Sequence, residues 1–265
     1  MLQALKRWLS PLSPTHKLNV TVREQRRQIR ALENALRATL VRYRGFVMEA
    51  PPELCLHVGR VGDAANYWAQ GLASSEKVIE AFGERPEGLV LDWGCGVGRT
   101  LHWLRDRGTW PQAYRGCDVD PAGIAWLQGQ GVAEVALCGD QPPLPYEDAS
   151  FSGLFSFSVL THIHPERHGL WFAEIARVLA PGGRAYLTIN GDNAEAKANG
   201  LTAAERRDYA RQGWNYAVRA GHYKSAAFAS EPFTRAALEP LLEIESHTPG
   251  GYHTMDVWIV RKRAA

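Results

Sequence analysis

The chain has 265 residues, 45% hydrophobic and 22% charged, with a formal net charge of only +2. Those values belong to a globular chain with one large core, and they argue against whole-chain attraction to nucleic acid. The charge is unevenly placed: residues 1–44 hold ten Lys and Arg against two acids, a net of +8, which leaves about −6 to the remainder. No apolar run reaches the length of a membrane span, and no continuous apolar stretch follows Lys6 and Arg7 as a secretory signal would require. Cys55, Cys95, Cys117 and Cys138 form no C-x-x-C pair, which disfavours a structural zinc site and fits a reducing, cytoplasmic compartment.

In chain order, Leu2, Leu5, Trp8 and Leu9 share a helical face that ends at Ser10-Pro11. A second helix is expected from about Val22 to Phe46, with Ile29, Leu32, Leu36, Tyr43 and Phe46 at a and d spacing and arginines between them. Residues 1–48 therefore read as a basic helical extension. It either packs on its own domain, self-associates, or docks on an acidic surface or a membrane interface. Residues 49–88 read as a helical cap, helical from Asn66 to Phe82 and closed by the turn Gly83–Gly88.

From there strand and helix alternate, the pattern of a parallel sheet with helices on both faces. Expected strands are Leu89–Trp93, Tyr114–Val119, Val132–Cys138, Phe151–Val159 and Arg184–Asn190. Helices are expected from Arg99, from Pro121 and over Pro165–Leu179, with Pro181-Gly182-Gly183 as the turn into the fifth strand. Residues 191–228 break the rhythm as a polar, Ala-rich insertion, helical from Thr202 to about Gln212. One more helix from Phe233 precedes the strands Leu241–Ser246 and Met255–Arg261, which flank Pro249-Gly250-Gly251.

Chemistry concentrates after the first strand. The loop Gly94-Cys95-Gly96-Val97-Gly98 ends a strand and opens a helix, where glycines let backbone bend sharply and approach a nucleoside. The third glycine of the dinucleotide pattern would fall at Arg99, which tilts the loop away from a pyrophosphate. Asp118, twenty residues on, can accept hydrogen bonds from both ribose hydroxyls, and Asp120 better suits the cap of the helix at Pro121. Asp140 closes the third strand. Three carboxylates at three successive strand ends mark the rim where open α/β sheets bind ligands.

The segments Val90–Arg99, Gly116–Pro121, Gly139–Phe151, Ser156–His162 and Arg177–Gly183 resemble, in order and spacing, the motifs of class I S-adenosylmethionine-dependent methyltransferases. The resemblance implies a Rossmann-like core over 89–263, with a seven-stranded, mostly parallel sheet whose last strand is antiparallel. It implies S-adenosyl-L-methionine as cofactor, with Asp92, Gly94, Cys95, Gly96 and Gly98 around its methionine part and Asp118 on the ribose. Asp140 and the Gln141 amide would read adenine, and backbone near Phe157 and Ser158 would line the methionine side. Ser152 stands where relatives usually carry an acid, which puts little in doubt.

His162 follows the fourth strand beside the expected methyl position. It reads either as the base for a hydroxyl acceptor or as a group that bonds backbone and shapes the pocket. His164 and His168 lack an acidic partner that would complete a metal site. Tyr67 lies where a cap could close over a sulfonium by the cation–π effect, and equally fits ordinary helix core, as does Trp68. Trp214, Tyr216, His222 and Tyr223 in the insertion are candidate acceptor contacts. The sequence Phe155-Ser156-Phe157-Ser158 is not the Asp/Asn-Pro-Pro-Tyr type of base methylation, so no DNA partner is expected. The expected activity is methyl transfer to a small-molecule or glycan acceptor, with oxygen favoured. The alternatives are a protein or RNA acceptor guided by the basic arm, or a non-catalytic cofactor-binding scaffold.

Overall fold

A computed structural model describes residues 64–84, 86–106, 111–193, 200–218 and 225–264, together with isolated helical positions between 24 and 54. Tyr43, Phe46, His222 and Tyr223 lie outside the described residues, as does the proposed helix at Leu2–Leu9. Helix α1 (Ala64–Phe82) precedes strand β1 (Val90–Trp93), α2 (Arg99–Asp106), β2 (Tyr114–Asp118), α3 (Pro121–Gln130) and β3 (Glu134–Leu137). Strand β4 (Phe151–Ser156), α4 (His168–Val178) and β5 (Leu179–Ile189) follow. The insertion contributes α5 (Ala203–Gln212), β6 (Trp214–Val218) and β7 (Ser225–Ala229), ahead of α6 (Glu231–Leu238), β8 (Glu243–Tyr252) and β9 (Met255–Arg261). Among the described residues no helix is long and apolar enough to cross a membrane.

Seven strands form one sheet in the order β3-β2-β1-β4-β5-β9-β8, and β6 pairs with β7 as a separate hairpin. Strands β1 to β5 pair in parallel, and β9 runs antiparallel to both of its neighbours. This is the Rossmann-like class I methyltransferase architecture expected from the motifs. The order reverses between β1 and β4, so the crevice beyond their carboxyl ends is the natural ligand position.

Both sheet faces are buried. Side chains alternate between two cores, with Leu91, Leu154, Leu187 and Trp258 packing toward α4 and α6. Val90, Phe155, Tyr186 and Val257 pack toward α1, α2 and α3. The period-two switch from face to face is why the strands read as nearly continuous apolar runs.

Pro181-Gly182-Gly183, expected as a turn, and Pro249-Gly250-Gly251, expected between two strands, both lie within strands. β5 passes through Pro181-Gly182-Gly183, because Gly182 adopts φ +76° and bulges the strand while its N–H reaches the Lys262 carbonyl at 2.9 Å. β8 passes through Pro249-Gly250-Gly251, where an edge strand tolerates a proline, and the chain reverses at His253-Thr254. Asp120 caps α3 as expected, its carboxylate accepting from the Ala122 N–H, and Gly131 ends that helix with φ +59°. The helix expected over Pro165–Leu179 opens with a short 3-10 turn, Pro165–Arg167.

Glu174 ties the fold to the rim. Its buried carboxylate accepts from the Leu144 N–H at 2.7 Å and from two Arg177 nitrogens at 2.6 and 2.9 Å, pinning the loop after β3 to α4. Removing it strands the buried Leu144 amide, whereas Arg177 keeps Asp148 as a partner at 2.7 Å. Glu174→Ala is expected to lower stability by roughly 1–3 kcal/mol in urea unfolding. A change under about 0.5 kcal/mol would mean that solvent substitutes freely at this point.

Candidate active site

The bend after β1 is built on positive backbone angles, with Gly94 at φ +83°, Gly96 at +54° and Gly98 at +72°. A side chain at Gly94 would meet Val159 Cγ2 at 2.1 Å, and one at Gly98 would meet Leu127 at 2.6 Å. Glycine is required here on both counts. The N–H groups of Gly94 and Cys95 both point to the Cys117 carbonyl, at 2.8 and 3.1 Å, which hooks the bend over the end of β2.

Asp118 does more than face the crevice. One carboxylate oxygen accepts from the Gly96 N–H at 2.8 Å and the other from the Asp120 N–H at 2.9 Å, so it bridges two loops. Each oxygen keeps a second lone pair that can accept a further hydrogen bond. Burial raises the Asp118 pKa and the two amides pull it back. Asp92, 4% exposed, is raised further by burial and then by Asp118, while Arg99 lowers it. A buried carboxylate beside a half-buried one is costly and Arg99 offsets only part of it, so the pair suits a ligand bearing an ammonium or a sulfonium. Asp140 and Gln141 are exposed just beyond β3, and Cys95 is buried beneath the bend.

Opposite, the segment after β4 is held by hydroxyls. Ser158 has φ +68°, unusual for a side-chain-bearing residue, and its N–H donates to Thr188 Oγ1 at 2.7 Å. Its hydroxyl lies 2.8 Å from Thr161 Oγ1, and the Thr161 hydroxyl also bonds the Ser158 carbonyl. The Phe157 ring packs at a tilt against Tyr252, 4.7 Å between centroids, and Tyr186, 5.3 Å. Sequence reading missed this hydroxyl cluster, because serines and threonines after a strand carry no distinctive spacing.

The three histidines go to separate tasks. His162 Nδ1 lies 3.0 Å from the Ser225 carbonyl, and the Ser225 hydroxyl donates back to the His162 carbonyl at 3.0 Å. A carbonyl only accepts, so Nδ1 carries the proton and Nε2 the lone pair. Burial lowers the His162 pKa. His168 is buried, with Nε2 on the Leu160 and Ile163 carbonyls and a pKa lowered to about 4 by burial. His164 caps the 3-10 turn and lies 4.8 Å from the rings of both Trp214 and Tyr216. Among the described residues no cluster of His, Cys, Asp and Glu could hold a metal ion.

The insertion is a helix plus hairpin clamped on this rim. A capping box joins Thr202 and Glu205 at the start of α5. The Ala227 N–H donates to the Thr161 carbonyl at 2.7 Å and the Ala229 N–H to the Asn190 carbonyl at 2.9 Å. Trp214 and Tyr216 pack on His164 and are partly buried. Tyr67 is buried with Arg99 5.2 Å over its ring, whereas Trp68 goes into helix packing, its carbonyl taking the Trp103 indole at 2.7 Å.

Residues 91–187 match the family model described as methyltransferase domain. The chain carries a class I S-adenosylmethionine-dependent methyltransferase domain. The methyl donor of this class is S-adenosyl-L-methionine. Malonyl-[acyl-carrier protein] O-methyltransferase of Herminiimonas arsenicoxydans is 36% identical over 100 residues, covering 37% of this chain and 36% of that one. Fatty-acid O-methyltransferase of Mycolicibacterium smegmatis is 27% identical over 171 residues, covering 63% and 60%. The match thus spans about a third of the first relative's length. A methyltransferase structure from Methanosarcina mazei aligns with TM-score 0.53 at 20% identity, covering 71% of this chain and 98% of that one, a likeness of fold.

Two measurements on the methyltransferase domain follow. Asp118→Ala should weaken S-adenosylhomocysteine binding at least about tenfold, roughly 1.4 kcal/mol, in calorimetry. Unchanged affinity would reject the ribose role. The raised Asp92 and Asp118 pKa values also set a sign for pH. Both must ionise to meet a cation, so affinity should rise with pH through a range above that of ordinary carboxylates and then level off. Affinity flat across acidic pH would contradict the charge pairing.

Proposed function

We propose that the protein transfers a methyl group from S-adenosyl-L-methionine to an oxygen of a small-molecule or glycan acceptor. The observation that carries the choice of oxygen is the His162 imidazole, held neutral by burial with its lone pair on Nε2. Two relatives named as O-methyltransferases support the same reading.

Bound in the crevice, the cofactor supplies a methyl group already activated by its sulfonium. Asp92 balances its positive charge, Asp118 holds the ribose, Asp140 and the Gln141 amide meet the adenine, and backbone at Phe157 and Ser158 lines the methionine side. What remains for the chain is alignment of the acceptor and exclusion of water. The insertion over Thr161 and Asn190 does the second. Its residues Trp214, Tyr216, His222 and Tyr223 are the candidate acceptor contacts, and Tyr67 closes the α1 side. His162 takes the proton of a hydroxyl acceptor at Nε2, and a carboxylate acceptor needs no such base.

That difference is measurable. With a hydroxyl acceptor His162→Asn should lower kcat by about 100-fold or more while S-adenosylhomocysteine affinity holds. With a fatty-acid carboxylate the same variant should stay near wild type. In the wild type, hydroxyl methylation should rise with pH through a value below the ordinary histidine range, because the imidazole must be neutral to accept a proton. Acceptors are found by incubating the chain with labelled cofactor and fatty acids, polyols, oligosaccharides, tRNA and protein. Label passing to tRNA or protein alone would overturn the small-acceptor reading.

A further inference from the structure

None of the described residues of the basic arm is among those that build the site above. Its described positions between 24 and 39 are all helical and all exposed, and the Thr39 hydroxyl bonds the Ala35 carbonyl one turn back. Ile29 is 54% exposed, Leu32 71% and Leu36 63%, three large aliphatic side chains at spacings of three and four on one helical stripe. Such a stripe left in water is unfavourable, which makes it a candidate docking face.

Charge decides the occupant. By sequence spacing alone, Arg23, Arg26, Arg30, Arg37 and Arg44 fall along one flank of that stripe, with Glu33 as the only acid among them. A second copy would bring two +8 arms together over only two or three heptads, which disfavours a coiled-coil dimer. An anionic bilayer instead meets both features at once: aliphatic side chains enter the acyl boundary while guanidinium groups beside them stay at headgroup depth. By sequence spacing alone, Leu2, Leu5, Trp8 and Leu9 would add a second apolar set beside Lys6 and Arg7.

We propose that the arm docks the protein on an anionic lipid surface, with Ile29, Leu32 and Leu36 as the inserted stripe and the adjoining arginines on the headgroup phosphates. The proposal is independent of the acceptor and of catalysis. Co-sedimentation of the full chain tests it, using phosphatidylcholine vesicles with and without phosphatidylglycerol. Binding should require phosphatidylglycerol and weaken at least about tenfold as salt is raised. Leu32→Glu/Leu36→Glu and Arg30→Glu/Arg37→Glu should each reduce it by a similar factor, while S-adenosylhomocysteine affinity stays at the wild-type value and reports an intact core. Four outcomes overturn the proposal. These are no binding to anionic vesicles, equal binding to neutral ones, wild-type binding by the leucine variant, and a dimer in light scattering that Leu32→Glu dissolves. Binding of poly-glutamate without vesicle binding would assign the arm to an acidic protein instead.

Discussion

One carboxylate organises the candidate site. Asp118 holds the Gly96 amide with one oxygen and the Asp120 amide with the other, so the bend after β1 and the entrance to α3 share a single anchor. The bend could not close on that anchor with a side chain at Gly94, because Val159 already fills the space a Cβ would take. Val159 follows β4 and the bend follows β1, so their contact lies where the sheet order reverses. Strand order, glycine geometry and carboxylate placement are thus one constraint. It leaves the buried Asp92 beside the half-buried Asp118, the charge arrangement on which the proposed binding of a cationic adenosyl ligand rests.

The opposite rim is held by the insertion and the last hairpin. Asp256 is buried at the start of β9, opposite Ile189, and accepts from His247 Nε2 and the Gly250 N–H, each at 3.0 Å. His247 stacks on Trp258 at 4.0 Å and its other ring nitrogen lies 3.6 Å from Glu231. The Glu231 N–H reaches Asp192, which also accepts from the Tyr209 hydroxyl of α5 at 2.9 Å. A continuous polar chain therefore ties the β8–β9 hairpin to the helix of the insertion. The same insertion, through Ser225, fixes the tautomer of His162. Placement of the insertion and readiness of the imidazole are linked by that contact.

Much of this was legible before any coordinates. Leu91, Asp92 and Trp93 running into three glycines fixed the first strand and its bend, and Pro121 after Asp120 marked a capped helix. The parts that escaped were those where local signals pointed the wrong way. Pro181-Gly182-Gly183 read as a turn and Pro249-Gly250-Gly251 as a break between two strands, yet strands absorb both, since bulge and edge positions accept glycine and proline. The β6–β7 hairpin was missed because Trp214 to Val218 is too short to show its alternation, and its partner strand is mostly alanine. Trp214 and Tyr216 stood out by composition as candidate acceptor contacts, but their place on one face of β6, each ring 4.8 Å from His164, was not legible.

The most direct test of the account is calorimetric titration of the full chain with S-adenosylhomocysteine and, separately, with a nicotinamide dinucleotide. Saturable one-to-one binding of the first and no heat from the second are expected. Binding of the dinucleotide with no response to S-adenosylhomocysteine would contradict it.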